Sequence, residues 1–229
     1  MGDAVFHLAA LDVAPELGQD VDSTAARGRG GAFEALHVAA GRPGSAGALS
    51  AASVMYHSFG LRTNPNLYPS ETVCVSLLNT VGGKGTELWS PESSSLLQVV
   101  VSIQGLVLIA QPYYNEAGYT AQIGTPEGRR NELPYCENTY LVNLHTMLHL
   151  IRRPPVGFEA FVRDHFHRRG QHVLKACEVY LKDGCPVGTL DGEAFAMEAS
   201  RERSCSVGFR LALANVVPRL VEAFTNICA

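Results

Sequence analysis

The tripeptide Asn64-Pro65-Asn66 decides where regular structure must stop. Proline has a fixed φ and no N–H, and asparagine side chains bond their own backbone, so neither a helix nor a central strand runs through this turn. It reads as a surface loop. Leu67-Tyr68 and then Pro69-Ser70-Glu71-Thr72-Val73 carry the chain to Cys74, and Val75-Ser76-Leu77-Leu78 is a short apolar run suited to anchor one end of the loop on a core. The side chains nearest the thiol in sequence are neutral amides and hydroxyls. That setting suits covalent acyl carriage, because sulfur is a competent nucleophile going in and a good leaving group coming out.

Around this loop the chain divides into three parts. Residues 1–53 hold two short apolar pieces, 5–13 and 32–40, each compatible with a helix or a strand, and two small-residue stretches, 25–31 and 41–47, that read as linker or disordered chain. Residues 54–59 predict a strand, and Gly60 with the Asn-Pro-Asn turn opens the loop. Gly82-Gly83-Lys84-Gly85-Thr86-Glu87 is a glycine-rich flap; it lacks the first glycine and the Lys-Ser/Thr ending of a phosphate-binding loop. Ser90-Pro91-Glu92 is a helix start, followed by Leu96, Val100, Ile103 and Val107 as a buried face, with Pro112 as the stop and a loop after it. Leu141, Leu144, Leu148 and Ile151 form the apolar face of a helix ended by Pro154-Pro155; Phe158, Phe161, Val162 and Phe166 form a second face, and Val173, Leu174, Cys177 and Leu181 a third, closed by Gly184. Residues 183–203 are polar and read as loop. The last segment, 209–223, is a packing helix in which Pro218 predicts a break, since an interior proline costs about 3 kcal/mol.

Composition narrows the class. A chain of 229 residues fits one domain with appendages, or at most two small ones; 46% apolar residues suffice for a core, and a net charge of −4 gives no electrostatic reason to expect nucleic acid. No apolar run reaches the length of a membrane span, and residues 1–12 lack the basic start and cleavage site of a signal peptide, so the expectation is a soluble protein of the cytoplasm or nucleus. The cysteines Cys74, Cys136, Cys177, Cys185, Cys205 and Cys228 show no CxxC pair, and thiols are expected rather than a disulfide framework. His145 and His149 have the spacing of a zinc pair but lack the glutamate of His-Glu-x-x-His and an evident third ligand, so no metal is expected; His165 and His167 with Arg168-Arg169 read as a basic cluster at a helix end.

Asn66 and Cys74 are eight residues apart. With Leu88-Trp89-Ser90-Pro91, the Gly-Lys-Gly insertion and Gln111-Pro112-Tyr113-Tyr114-Asn115-Glu116-Ala117-Gly118 in order behind them, this pattern resembles the ubiquitin-conjugating enzyme family over roughly residues 54–182, and within it the large divergent branch that includes plant enzymes of the phosphate-homeostasis type. The resemblance implies an α+β ubiquitin-conjugating fold whose antiparallel sheet is incomplete on its N-terminal side, because the family's N-terminal helix and first three strands are not visible in residues 1–53. The domains expected are a poorly defined N-terminal segment, a conjugating-type domain over 54–182 truncated at its N-terminal side, and a linker with a helical extension over 183–229.

The resemblance also implies roles. Cys74 would be the nucleophile that carries ubiquitin as a thioester. Asn66 would donate a hydrogen bond, either to the oxyanion formed under attack by a lysine or to the loop backbone. Glu116 would orient the lysine, with Tyr113, Tyr114 and Asn115 beside it. Asn64, where the general family has histidine, would be structural together with Pro65 and Tyr68. No cofactor would be bound, ATP being consumed by the upstream activating enzyme; the partners implied are ubiquitin, that activating enzyme, a ligase and a protein substrate. The readings from other classes are a catalytically inactive variant acting as a binding or adaptor protein, and a remnant without a stable fold.

Overall fold

The computed structural model of the protein describes residues 8–13, 33–39, 53–90, 92–109, 111–188 and 204–228. The small-residue stretches 25–31 and 41–47 and most of the expected loop at 183–203 lie outside them.

Among the described residues, strands β1 (Leu8–Val13), β2 (Phe33–Ala39) and β3 (Ser53–Tyr56) form one sheet in the order β1-β2-β3. β1 and β2 lie within the apolar pieces 5–13 and 32–40, each compatible with a helix or a strand, so the strands not visible before residue 54 are in part supplied there. Their sequences, LAALDV and FEALHVA, are rich in alanine, which lowers strand propensity and blurs the alternation a strand should show. The expected antiparallel sheet is also corrected: β1 pairs with β2 in parallel, Leu8 opposite Phe33, and only β2 and β3 are antiparallel, Leu36 opposite Tyr56. The third strand stops at Tyr56 rather than at 59, because Leu61 N donates to Ser58 O (2.8 Å) and Phe59 turns to a φ of 48°.

The next helix, α1 (Leu96–Ser102), begins later than the sequence indicated. Its cap is Ser95, whose hydroxyl accepts from Gln98 N while Gln98 Oε1 accepts from Ser95 N, a reciprocal pair that Ser90 does not make. A π turn, Ile103–Val107, continues it, with Leu108 N bonded to Ile103 O at 3.0 Å. The buried residues are Val99, Ile103 and Val107, so Val99 takes the place expected for Val100. Two 3-10 turns, Pro112–Asn115 and Tyr119–Gln122, replace the expected loop. Proline at the first position of a turn gives up an N–H that has no partner there, so Pro112 starts a turn instead of ending a helix.

Three long helices form the rest. Helix α2 (Pro126–Arg152) is capped by Thr125 Oγ1, which accepts from Gly128 N, and ends just before Pro154-Pro155 as its sequence implied. Helix α3 (Glu159–Asp183) is one continuous element where two were expected, closed by Gly184 at a φ of 65°. His165 and the Arg168-Arg169 pair accordingly lie within a helix, not at its end. Helix α4 (Val207–Cys228) runs unbroken through Pro218. Pro218 and Ala214, whose carbonyl loses its N–H partner, are both exposed, where solvent can satisfy a carbonyl that burial would leave unpaired.

Two cores result. One joins β3 (Val54, Tyr56), the loop (Leu67, Val73, Val75, Leu78) and the helix with its π turn (Val99, Ile103, Val107). The other is helical: Tyr140, Leu144 and Leu148 of α2, Phe166 and Tyr180 of α3, and Phe209, Leu213, Leu220 and Phe224 of α4. The last helix packs on both α2 and α3, so the expected C-terminal extension is part of this core. Phe59, just beyond β3, packs against the helical core and stacks on His149, ring centroids 5.2 Å apart.

Candidate active site

The Asn-Pro-Asn turn is a loop, but it is not on the surface as expected. Thr63, Asn64 and Leu67 are 1%, 0% and 0% exposed. Asn64 is buried because both ends of its amide find partners: Nδ2 donates to Val107 O at 2.7 Å, and Oδ1 accepts from Asn66 N at 2.9 Å and from Asn115 Nδ2 at 3.2 Å. Asn115 Nδ2 also reaches Val107 O, at 2.8 Å. A single carbonyl at the end of the π turn thus ties the turn before the cysteine to the turn after the helix. Pro65 is buried and Tyr68 exposed.

Asn66 and Cys74 face each other across a closed loop. Cys74 N donates to Asn66 O (2.8 Å) and Asn66 Nδ2 donates to Cys74 O (2.7 Å), while Tyr68 N to Thr72 O (3.0 Å) and Glu71 N to Tyr68 O (2.9 Å) close the tip. Glu71 takes a φ of 67° to make that turn. Asn66 Oδ1 is buried without a hydrogen-bond partner. Beyond the cysteine, Thr80 Oγ1 accepts from Val75 N (2.9 Å) and donates to Val73 O (2.8 Å), bracketing Cys74 from both sides, and the thiol itself points to Thr80 O at 3.7 Å. Cys74 is half-buried and a free thiol.

Glu116 stands on the second loop and is brought to the same site. Its carboxylate meets the Arg62 guanidinium at 3.5 Å. It is also close enough to act on the thiol: burial first, and the Glu116 charge second, raise the Cys74 pKa above its ordinary value. Tyr113 and Tyr114 are buried, with hydroxyls bonded to Gln122 Oε1 (2.8 Å) and Glu132 Oε2 (3.2 Å), so they support this loop against α2. Asn115, half-buried, is spent on Asn64 and Val107.

No family model matches the chain. Over 178 residues it is 52% identical to a probable ubiquitin-conjugating enzyme of Arabidopsis thaliana, covering 77% of this chain and 16% of that protein. A second Arabidopsis thaliana protein of the same description is 48% identical over 174 residues, 76% of this chain and 18% of its own length. The chain belongs to the ubiquitin-conjugating enzyme family. A human protein named a dual ubiquitin-conjugating enzyme and ubiquitin-protein ligase is 40% identical over 124 residues, 54% of this chain and 3% of that protein. The chain therefore spans less than a fifth of the length of the first two relatives. These relatives imply the ubiquitin-conjugating fold.

Three residues of this site were missed in the sequence. Arg62 donates to Pro65 O at 2.9 Å and lies over the Tyr68 ring, 4.7 Å from its centroid. It is the one Lys or Arg between residues 54 and 83, a signal that was available. Thr80 carried no signal, since its work is on the backbone. Tyr135, on α2, packs edge-on against Tyr113 (5.8 Å), and burial above all pushes its hydroxyl pKa up to about 12 despite the Arg62 charge nearby. Of the set-aside histidines, His149 is used in the Phe59 stack, and no group of three or more His, Cys, Asp or Glu able to hold a metal ion occurs among the described residues. No helix among them is long and apolar enough to cross a membrane.

Proposed function

We propose that the chain is a ubiquitin-conjugating enzyme that accepts ubiquitin as a thioester on Cys74 and transfers it to substrate lysines. The observation that carries the reading is the reciprocal pair of bonds between Asn66 and Cys74, 2.8 and 2.7 Å, inside a sequence motif whose relatives are named for this activity. The Cys74 sulfur attacks the activated C-terminal carbonyl of ubiquitin, displacing the sulfur of the activating enzyme, so one thioester replaces another and no nucleotide or metal is needed on this chain. A lysine then attacks the Cys74 thioester. Of the two N–H donors of Asn66 Nδ2, one is used on the Cys74 carbonyl and the other serves the developing oxyanion. Glu116 orients the incoming amine, whose unperturbed pKa of about 10.4 means that it arrives protonated and is drawn to a carboxylate. Asn64, Pro65 and Tyr68 hold the loop. Residues 54–182 are the conjugating domain, working with an activating enzyme and a ligase in the cytoplasm or nucleus.

The test is incubation of the protein with activating enzyme, ubiquitin and ATP. A reductant-sensitive adduct that is lost in Cys74→Ala is expected. A folded protein that forms no adduct would overturn the enzyme reading and leave the chain as a binding or adaptor member of the family.

A further inference from the structure

Arg62 makes three contacts, two on the turn before the cysteine and one on the opposite loop. Its Nη2 donates to Pro65 O at 2.9 Å, in the turn that leads to Asn66; its guanidinium carbon lies 4.7 Å from the centroid of Tyr68, which ends that turn; and Nη2 reaches Glu116 Oε2, on the opposite loop, at 3.5 Å. Among the described residues no other cation pairs with the Glu116 carboxylate. An exposed ion pair on its own contributes little, because two long side chains must be immobilised to make it. Here the planar guanidinium is already held by a carbonyl and a ring face, so the side chain that the pair fixes is the glutamate.

We propose that Arg62 is a positioning residue, holding the Glu116 carboxylate at the place where the attacking amine must be received. The inference rests on the conjugating reading above. In the step it serves, the lysine ammonium loses one proton to water, the amine nitrogen bonds to the thioester carbonyl carbon, and the carbon–sulfur bond breaks. The second proton leaving nitrogen ends on the Cys74 sulfur, so the products are an amide and the free thiol. Arg62 does not touch the reacting atoms; it acts through Glu116.

The experiment loads the full chain with ubiquitin, stops loading by removing ATP, and follows loss of the thioester against free lysine concentration and in the absence of any amine. Arg62→Gln is expected to discharge to lysine about 3- to 5-fold more slowly at limiting lysine, measured relative to its own rate of hydrolysis, the factor an exposed ion pair can carry. The loss should appear as a higher lysine concentration for half-maximal rate. Glu116→Gln should show the same loss, and the double variant no further loss. Discharge at the unmodified rate, full additivity of the two substitutions, or a parallel change in hydrolysis would overturn the inference, the last by showing that Arg62 only supports the Pro65 turn. If the unmodified chain forms no thioester, the conjugating reading itself falls and this inference falls with it.

Discussion

Replacing Asn64 by alanine tests the architecture of the site most directly. The substitution removes three hydrogen bonds: Nδ2 to Val107 O, and Oδ1 from Asn66 N and from Asn115 Nδ2. They are not equal in consequence. Val107 O keeps Asn115 Nδ2 at 2.8 Å, and Asn115 keeps Val107, so neither is orphaned. Asn66 N loses its acceptor, and it sits beside a wholly buried side chain where water enters poorly. A neutral buried hydrogen bond contributes about 1 kcal/mol net, and an orphaned buried donor costs about 1–3 kcal/mol. The expected loss of stability is therefore about 3 kcal/mol, or a fall in melting temperature of about 6–12 °C for a chain of this size. Thermal and urea unfolding followed by circular dichroism measure it, with an unchanged urea slope showing that the loss is in stability. Asn64→Asp should be worse than alanine, because it sets an uncompensated carboxylate against Val107 O in a dry site. Unfolding of Asn64→Ala within about 0.5 kcal/mol of the unmodified protein, the range of an ordinary surface substitution, would refute the claim that this amide holds the two loops together.

The other predictions concern the thiol and the helices. The rate of Cys74 alkylation, plotted against pH, should have its midpoint above that of an ordinary cysteine, and Glu116→Gln should move it down, since one of the two causes of the raised pKa is the carboxylate charge; an unmoved midpoint would separate Glu116 from the sulfur. Glu137, 6% exposed on α2, accepts from Ser206 N (2.6 Å) and Ser206 Oγ (2.7 Å), and that hydroxyl caps α4 at Phe209 N (3.0 Å). Glu137→Ala should cost about 2–3 kcal/mol in urea unfolding, the range of a hydrogen bond to a charged group, and Glu137→Gln less. Gly170→Ala places a methyl 2.9 Å from Phe224 Cγ, so it should destabilise by about 1–3 kcal/mol in spite of alanine's better helix propensity, and Phe224→Leu in the same chain should recover part of the loss.

What could be read from the sequence was local, and what could not was set by distant partners. The turn at Asn64-Pro65-Asn66, the stop before Pro154-Pro155 and the Gly184 cap follow from the chemistry of those residues alone. The apolar faces 158–166 and 173–181 read as separate helices, yet Gly170 between them sits inside one continuous helix, where the space a side chain would need is taken by Phe224 from the far end of the chain. Pro218 predicted a break that burial would have enforced and exposure removes. Ser90 read as the cap, but the helix is capped by Ser95, the serine with Gln98 three residues on. At the site the same rule holds: Cys74, Asn66 and Glu116 could be picked out by motif, but the burial of Asn64 depends on Val107 and Asn115, 43 and 51 residues away.

The site is consequently built in two manners that suit two tasks. Neutral amides and a hydroxyl, those of Asn64, Asn66, Asn115 and Thr80, bond to backbone groups at 2.7–2.9 Å, and Asn115 to Asn64 at 3.2 Å, and fix where the cysteine stands. Such bonds are insensitive to pH and salt. The charged pair, Arg62 and Glu116, is longer, at 3.5 Å, and about 40% exposed on each side, so the carboxylate that Arg62 holds remains open to an approaching ammonium group. A carboxylate locked as tightly as Asn64 could not receive a lysine, and an amide as loose as Glu116 could not hold a thioester in register. The division between them predicts opposite salt responses: discharge to lysine should slow as ionic strength rises, while unfolding of the loop, read through the Asn64 variants, should not.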